Sequence, residues 1–260
     1  GTNCVLTTTG VQCWGANNSG QANVPADLTE ATAVSVGGGH VCAVVRAGAV
    51  RCWGASEHGQ LALPVGLTGV TQISAGRYQT CAVTSAGAAT CWGENYYGQS
   101  VVPADLGVVA EVAAGGYHSC ARVASSVRCW GYRGLGATTV PSPAPTIRQV
   151  ATGTQHTCAV VGDDTRQVQC WGKSTWANYG QADAPTSLSG FTQVDAGMYH
   201  TCAVTGSRTV QCWGYNNAGQ ATVPWWATGV VQVSTAAYNT CVVTEAGAVR
   251  CWGDNTNGQS

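Results

Sequence analysis

Val194–Gln220 reads VDAGMYHTCAVTGSRTVQCWGYNNAGQ, and most of that phrase is written seven times in the chain. Its most regular part is a Cys-Trp-Gly triplet, opened by Cys13, Cys52, Cys91, Cys129, Cys170, Cys212 and Cys251, at intervals of 38 to 42 residues. A sequence period of about 20 to 50 residues marks a solenoid, a propeller or an array. Residues 1–260 are therefore expected to form a single domain of seven repeats.

Each repeat reads as three short strands. Thr71–Gly76 (TQISAG) and Thr80–Ser85 (TCAVTS) alternate and are rich in β-branched residues, and Ala88–Gly93 (AATCWG) follows a turn of small residues. The second and third strands form a tight hairpin. A polar stretch then leads to Gly-Gln and often to Val-Pro, as in NSGQANVP and NAGQATVP. Asn and Gly tolerate left-handed backbone and Pro is excluded from central strands, so this stretch is connection. No helical period appears.

Sheets this small bury their faces by stacking radially, and the expected fold is an all-β, seven-bladed β-propeller of short antiparallel blades. Trp14, Trp53, Trp92, Trp130, Trp171, Trp213 and Trp252 each follow a Cys. On a strand neighbouring side chains point to opposite faces, so one face of every blade offers an indole to its neighbour.

The other seven cysteines, Cys4, Cys42, Cys81, Cys120, Cys158, Cys202 and Cys241, precede the triplet cysteines by 9 to 12 residues. Zinc ligation, buried free thiols and disulfides are the three readings. The first lacks Cys-x-x-Cys spacing. The favoured reading is one disulfide per blade across the hairpin, where opposed Cα atoms lie within bridging range. Seven disulfides imply an oxidising compartment, hence a secreted or cell-surface, extracellular protein.

Composition removes other classes. Charged residues make up 9%, Lys173 is the only lysine and the net charge is -1. Nucleic acid is not an expected partner, because tracking phosphates needs clustered Lys and Arg. No apolar run is long enough for a membrane span.

The repeat, written VSAGxxHTCAVTxxGxVxCWGxNxxGQ, resembles that of the regulator of chromosome condensation superfamily over the whole chain. The resemblance implies a seven-bladed propeller. The GQxxVP connection looks like secreted propellers that inhibit β-lactamases, and the cysteine pairs look like the ectodomains of Crinkly-type receptor kinases.

No catalytic, cofactor or metal pattern is legible; Asp163 and Asp164 read as a solvated turn, and the protein is expected not to be an enzyme. His40, His118, His156 and His200 share one repeat position, held elsewhere by Gln79 and Asn239, which suggests hydrogen bonding within the blade. Strand alternation places the loop from first to second strand and the exit from the third at one end of the molecule. That end collects Tyr78, Tyr117, Tyr199 and Tyr238 with the shared histidines, plus Asn17, Asn18, His58, Tyr96, Tyr97, Tyr132, Arg133, Trp176, Tyr179, Asn216 and Asn217, the expected binding surface for protein or carbohydrate. Asn17 opens an N-glycosylation sequon, and the Pro-rich Thr138–Thr146 could carry O-linked sugar.

The expected function is a non-catalytic interaction or structural module of an extracellular assembly. A secreted enzyme inhibitor and a lectin are the alternatives. Counting yields seven second and seven third strands but six first strands. The blade spanning Cys4–Gly15 is expected to be incomplete: two-stranded, or completed by outside residues or by another chain through strand addition, a route to self-association.

Overall fold

The computed structural model describes residues 1–142, 145–172 and 178–260. Its strands form seven antiparallel sheets in chain order. Blade 1 is β1 (Thr2–Thr7) and β2 (Gly10–Gly15); blade 2 is β3 (Ala31–Val36), β4 (His40–Val45) and β5 (Ala49–Gly54). Blade 3 is β6 (Val70–Ala75), β7 (Gln79–Thr84) and β8 (Ala89–Gly93); blade 4 is β9 (Glu111–Ala114), β10 (His118–Val123) and β11 (Ser126–Gly131). Blade 5 is β12 (Ile147–Thr152), β13 (Thr157–Val161) and β14 (Gln167–Trp171); blade 6 is β15 (Phe191–Ala196), β16 (His200–Thr205) and β17 (Val210–Gly214). Blade 7 is β18 (Val230–Thr235), β19 (Asn239–Thr244) and β20 (Val249–Gly253). The strands begin within a residue of where the alternation puts them. Blade 1 has two strands and the other six have three. The described residues contain no α-helix, only a 3-10 turn at Arg46–Gly48.

In each three-stranded blade the first strand lines a central channel, the second runs through the middle and the third lies outside. The paired cysteines face each other across the hairpin of middle and outer strands, as in Cys81 opposite Cys91. All seven disulfides form, with Cα atoms 4.0 to 4.1 Å apart, and no cysteine is free. The spacings of 9, 10 and 12 reflect hairpin length alone. In five blades the register of the inner strand slips by one residue near its start, a β-bulge. A hydroxyl at the bulge bonds back to the middle strand in several blades, as Thr71 does to the Val83 carbonyl at 3.2 Å.

The core lies between blades. Cys81 and Val83 of blade 3 pack with Val109, Val112, Ala121 and Trp130 of the next repeat, and similar clusters recur around the ring. Each indole also donates backwards. Trp92 Nε1 reaches the Gln60 carbonyl at 2.9 Å, and Trp53, Trp130, Trp171, Trp213 and Trp252 make the same bond. Trp14 Nε1 closes the series on the Gln259 carbonyl at 3.3 Å, joining blade 1 to the exit loop of blade 7.

The shared histidine position works across blades rather than within one. His40 Nε2 meets the Thr80 hydroxyl of blade 3 at 2.7 Å, and His118, His156 and His200 meet Thr157, Thr201 and Thr240 in the same way. The hydroxyls of Thr157, Thr201 and Thr240 already donate to the carbonyls of Ala137, Gln181 and Gln220. A hydroxyl has one proton, so these threonines must accept from a histidine protonated at Nε2. Nδ1 of His156 and of His200 is then a buried lone pair without a partner. Burial holds the histidines far below their ordinary pKa, to about 4 for His40, His118 and His200 and about 3 for His156.

Candidate functional site

One end of the ring is built from a single turn used repeatedly. After Cys-Trp-Gly, the Asn95 side chain accepts from the Ser100 amide at 3.1 Å, and the Gln99 side chain accepts from the Tyr97 amide at 2.8 Å. Gly98 takes a φ of 78°, which favours glycine. Gln99 is fully buried and its carbonyl receives both Trp130 and Ser119. The turn is therefore fixed by Asn, Gly and Gln, while the two residues between Asn and Gly point outward. In blade 3 these are Tyr96 and Tyr97, 83% and 41% exposed; in blade 2 they are Glu57 and His58.

Asn17, Asn216 and Asn255 hold the same turn. Asn17 is exposed, and its amide nitrogen donates to Asn23 at 2.8 Å, so the proposed sequon lies on a residue that already closes a loop. Part of the Pro-rich spacer, Pro143 and Ala144, lies outside the described residues, and so does Trp176.

A second presenting position sits between the inner and middle strands. The inner strand often ends in glycine because the next blade crowds it: a Cβ on Gly76 would lie 2.4 Å from the Gly115 carbonyl oxygen. The following amide, that of Arg77, donates to that carbonyl at 3.1 Å. Arg77 and Tyr78, with Tyr117, Tyr199 and Tyr238 at the position of Tyr78, are thereby displayed beside the exit turns. The four buried histidines lie beneath them and are not part of the surface.

The displayed rings gather into two arcs. In blades 2 to 4, His58 packs on Tyr78 with centroids 4.4 Å apart, and Tyr97 contacts Tyr96, Tyr117 and Tyr132 at 4.8, 5.7 and 4.7 Å. The Arg77 guanidinium lies over Tyr78 at 4.9 Å and donates to the Tyr117 hydroxyl at 2.7 Å. In blades 5 to 7, Tyr179 contacts Tyr199 and Tyr215 at 5.6 and 4.6 Å, and Tyr215 reaches Tyr238 at 5.9 Å. Arg133 is exposed on its exit loop and makes none of these ring contacts.

Burial first, then neighbouring phenols, hold the hydroxyls of Tyr97 and Tyr238 above their ordinary pKa. Both rings stay neutral hydrogen-bonding groups. His58 belongs to the arcs as expected, and so do Tyr215 and Arg77, which the expected binding surface omits. Tyr215 carried a signal: it follows Cys-Trp-Gly directly, as Tyr132 does. Among the described residues no group of His, Cys, Asp and Glu could hold a metal ion, and no helix is long and apolar enough to cross a membrane.

Comparison with known proteins agrees with this geometry. The family model for the regulator of chromosome condensation (RCC1) repeat matches residues 31–60, 70–99, 191–220 and 230–259, each running from an inner strand to its exit turn. Among solved structures, the CRINKLY WD40 ectodomain of the Arabidopsis thaliana receptor kinase ACR4 is 23% identical, with 99% of this chain and 92% of that chain covered and a TM-score of 0.78. The ectodomain of the Physcomitrella patens receptor kinase CR4 is 24% identical over 97% of this chain and 70% of that one, also at 0.78. Yeast RCC1 (Prp20), from its structure with Kap60, is 14% identical over 94% and 78% at 0.77. At these identities the likeness is one of fold. No curated protein matches the sequence. One phrase folds seven times at one register into a seven-bladed propeller, and four of its copies match the model of the regulator of chromosome condensation repeat.

Proposed function

We propose that the chain is a non-catalytic, extracellular interaction module that binds a protein through the exit-loop end of its ring. One observation carries this reading: a recurring turn closed by Gly-Gln on a disulfide-stapled frame holds two variable residues outward, and in blades 3 and 5 it displays exposed tyrosines, Tyr96, Tyr97 and Tyr179. Rigid aromatic groups bring large contact area at low entropic cost, and such residues dominate protein interfaces. Seven disulfides support an oxidising, extracellular setting. The two ectodomains that share the fold belong to receptor kinases, which supports the same setting.

The arcs also favour protein over glycan. A lectin built on seven repeats presents equivalent sites in successive blades, whereas here the cluster of Tyr97, Tyr117 and Tyr132 recurs once, as Tyr179, Tyr199 and Tyr215, and Tyr96 and Arg77 flank the first copy alone. An asymmetric footprint also suits a single-partner inhibitor, so the enzyme-inhibitor reading differs only in what the partner is.

A photo-crosslinking residue at Tyr96, compared with one at the exposed Ala86 on the opposite hairpin end, tests the proposal in the native extracellular setting. Adducts to a defined protein from position 96 and none from position 86 are expected. Equal adducts from both ends, or glycan-array binding at several equivalent sites, would overturn it.

A further inference from the structure

Two of the connections between blades repeat one short phrase. In Val24-Pro25-Ala26-Asp27 and Val102-Pro103-Ala104-Asp105 a small residue and an aspartate follow the proline. Each aspartate pairs with the arginine that precedes the outer-strand cysteine of its blade: Asp27 meets Arg51 at 2.5 Å and Asp105 meets Arg128 at 2.9 Å. Blade 7 keeps that arginine as Arg250, but its connection reads Val223-Pro224-Trp225-Trp226, so two indoles replace the small residue and the aspartate.

Trp226 holds the arginine without neutralising it. Its ring meets that of Trp252 edge to face with centroids 5.7 Å apart, and the Arg250 guanidinium lies over it at 5.4 Å. The negative face of the indole attracts the cation and fixes its position. Among the described residues Arg250 makes no hydrogen bond and no ion pair, so its N–H groups stay available. Arg250 lines a cavity of about 360 Å³ at the hairpin end of blade 7, together with Trp226, Thr228, Thr244 and Glu245. Glu245 is paired with Arg208, which leaves the charge of Arg250 uncompensated there. Trp225, beside this wall in the chain, is 90% exposed.

We infer that this cavity is a binding site for an anionic sugar, a uronate unit of an acidic glycan. Arg250 donates its fork of N–H groups to the sugar carboxylate, which thereby takes the place that Asp27 and Asp105 fill in blades 2 and 4. Because Trp226 already holds the guanidinium, little side-chain freedom is lost on binding. The hydroxyls of Thr228 and Thr244 exchange hydrogen bonds with those of the sugar, and the exposed Trp225 indole takes the apolar C–H face of a neighbouring ring. A peptide carboxylate satisfies Arg250 equally. The lining favours the sugar, since it offers hydroxyls and a flat indole rather than an apolar pocket for an anchoring side chain. The site lies at the end of the ring opposite the tyrosine arcs and does not rest on the protein interface proposed there.

The test titrates the 260-residue chain with a linear tetramer of galacturonate, with the methyl ester of that tetramer and with tetraglutamate. Saturable one-to-one binding of the free acid is expected, with the uncharged ester and the peptide each about tenfold weaker. Trp225→Ala and Arg250→Gln should each weaken binding about tenfold. Both residues are exposed, so these variants fold, and their unliganded Tm verifies that. Trp226→Asp combined with Ala227→Leu restores the Asp-Leu order of Asp27-Leu28 and Asp105-Leu106, satisfies Arg250 from within the chain and should abolish binding. No binding at millimolar tetramer, equal binding of the ester, equal or tighter binding of the peptide, or binding that these variants leave unchanged would each overturn the assignment.

Discussion

The four shared histidines are held neutral by burial, with the Nε2 proton committed to a hydroxyl of the next blade in at least three cases. Their folded pKa values, about 3 to 4, lie below the ordinary value of about 6.5. Between those limits the unfolded chain binds more protons than the native one, so stability is full above about pH 6.5 and is lost as pH falls towards 4. Each histidine contributes at most about 1.4 kcal/mol per pH unit across that window. Buried Asp195 and Glu111, whose pKa values are raised by burial, act in the opposite sense at acid pH, so the comparison must be made with a variant. Gln79 fills the same position, so a chain with all four histidines changed to Gln should keep its fold and show a flatter profile. Urea midpoints at pH 7 and pH 4.5 measure this; equal loss in parent and variant would remove the histidines as the cause.

At the scale of the element, the strands and bridges were legible because a phrase repeated seven times averages away local ambiguity. Cys-Trp-Gly puts bridge and packing indole on opposite faces of one strand, and both behave as that pattern implies. What stayed hidden were partners one repeat away. The amide-for-histidine exchange read as bonding within a blade, although the hydroxyl that answers it comes from the following blade. The tyrosines were legible as an end of the ring but not as two arcs, since stacking depends on which blades bring their loops together. Because stability in a repeat fold resides in units and their neighbour interfaces, losing one bridge should cost a local amount. Replacing Cys120 and Cys129 together with Ala is expected to lower stability by about 2 kcal/mol and Tm by about 5 °C. Hydrogen exchange should rise in β9 to β11 and in the adjoining faces only; acceleration around the whole ring would contradict this.

At the scale of the whole molecule, the ring is closed by a joint that differs chemically from the others. Where blade 7 meets blade 1, Asn239 donates to the Asn3 side chain at 3.1 Å, and Asn3 donates to the Gln259 carbonyl at 2.6 Å. Four other joints carry a histidine facing a threonine at these two positions. At the joint from blade 1 to blade 2 both partners change together, to Thr2 and Val41, and Thr2 bonds within its own blade to the Ala16 carbonyl. Five joints are thus side-chain pairs matched across the seam, and mismatching one leaves a buried polar group without its partner. Asn239→His or Asn3→Thr alone should destabilise by about 1–2 kcal/mol. The double variant recreates the pair that closes four other joints and should recover most of the loss. In a double-mutant cycle read by urea unfolding, a coupling energy near about 1 kcal/mol is expected. Simple additivity of the two losses would show that ring closure does not depend on matching across the joint.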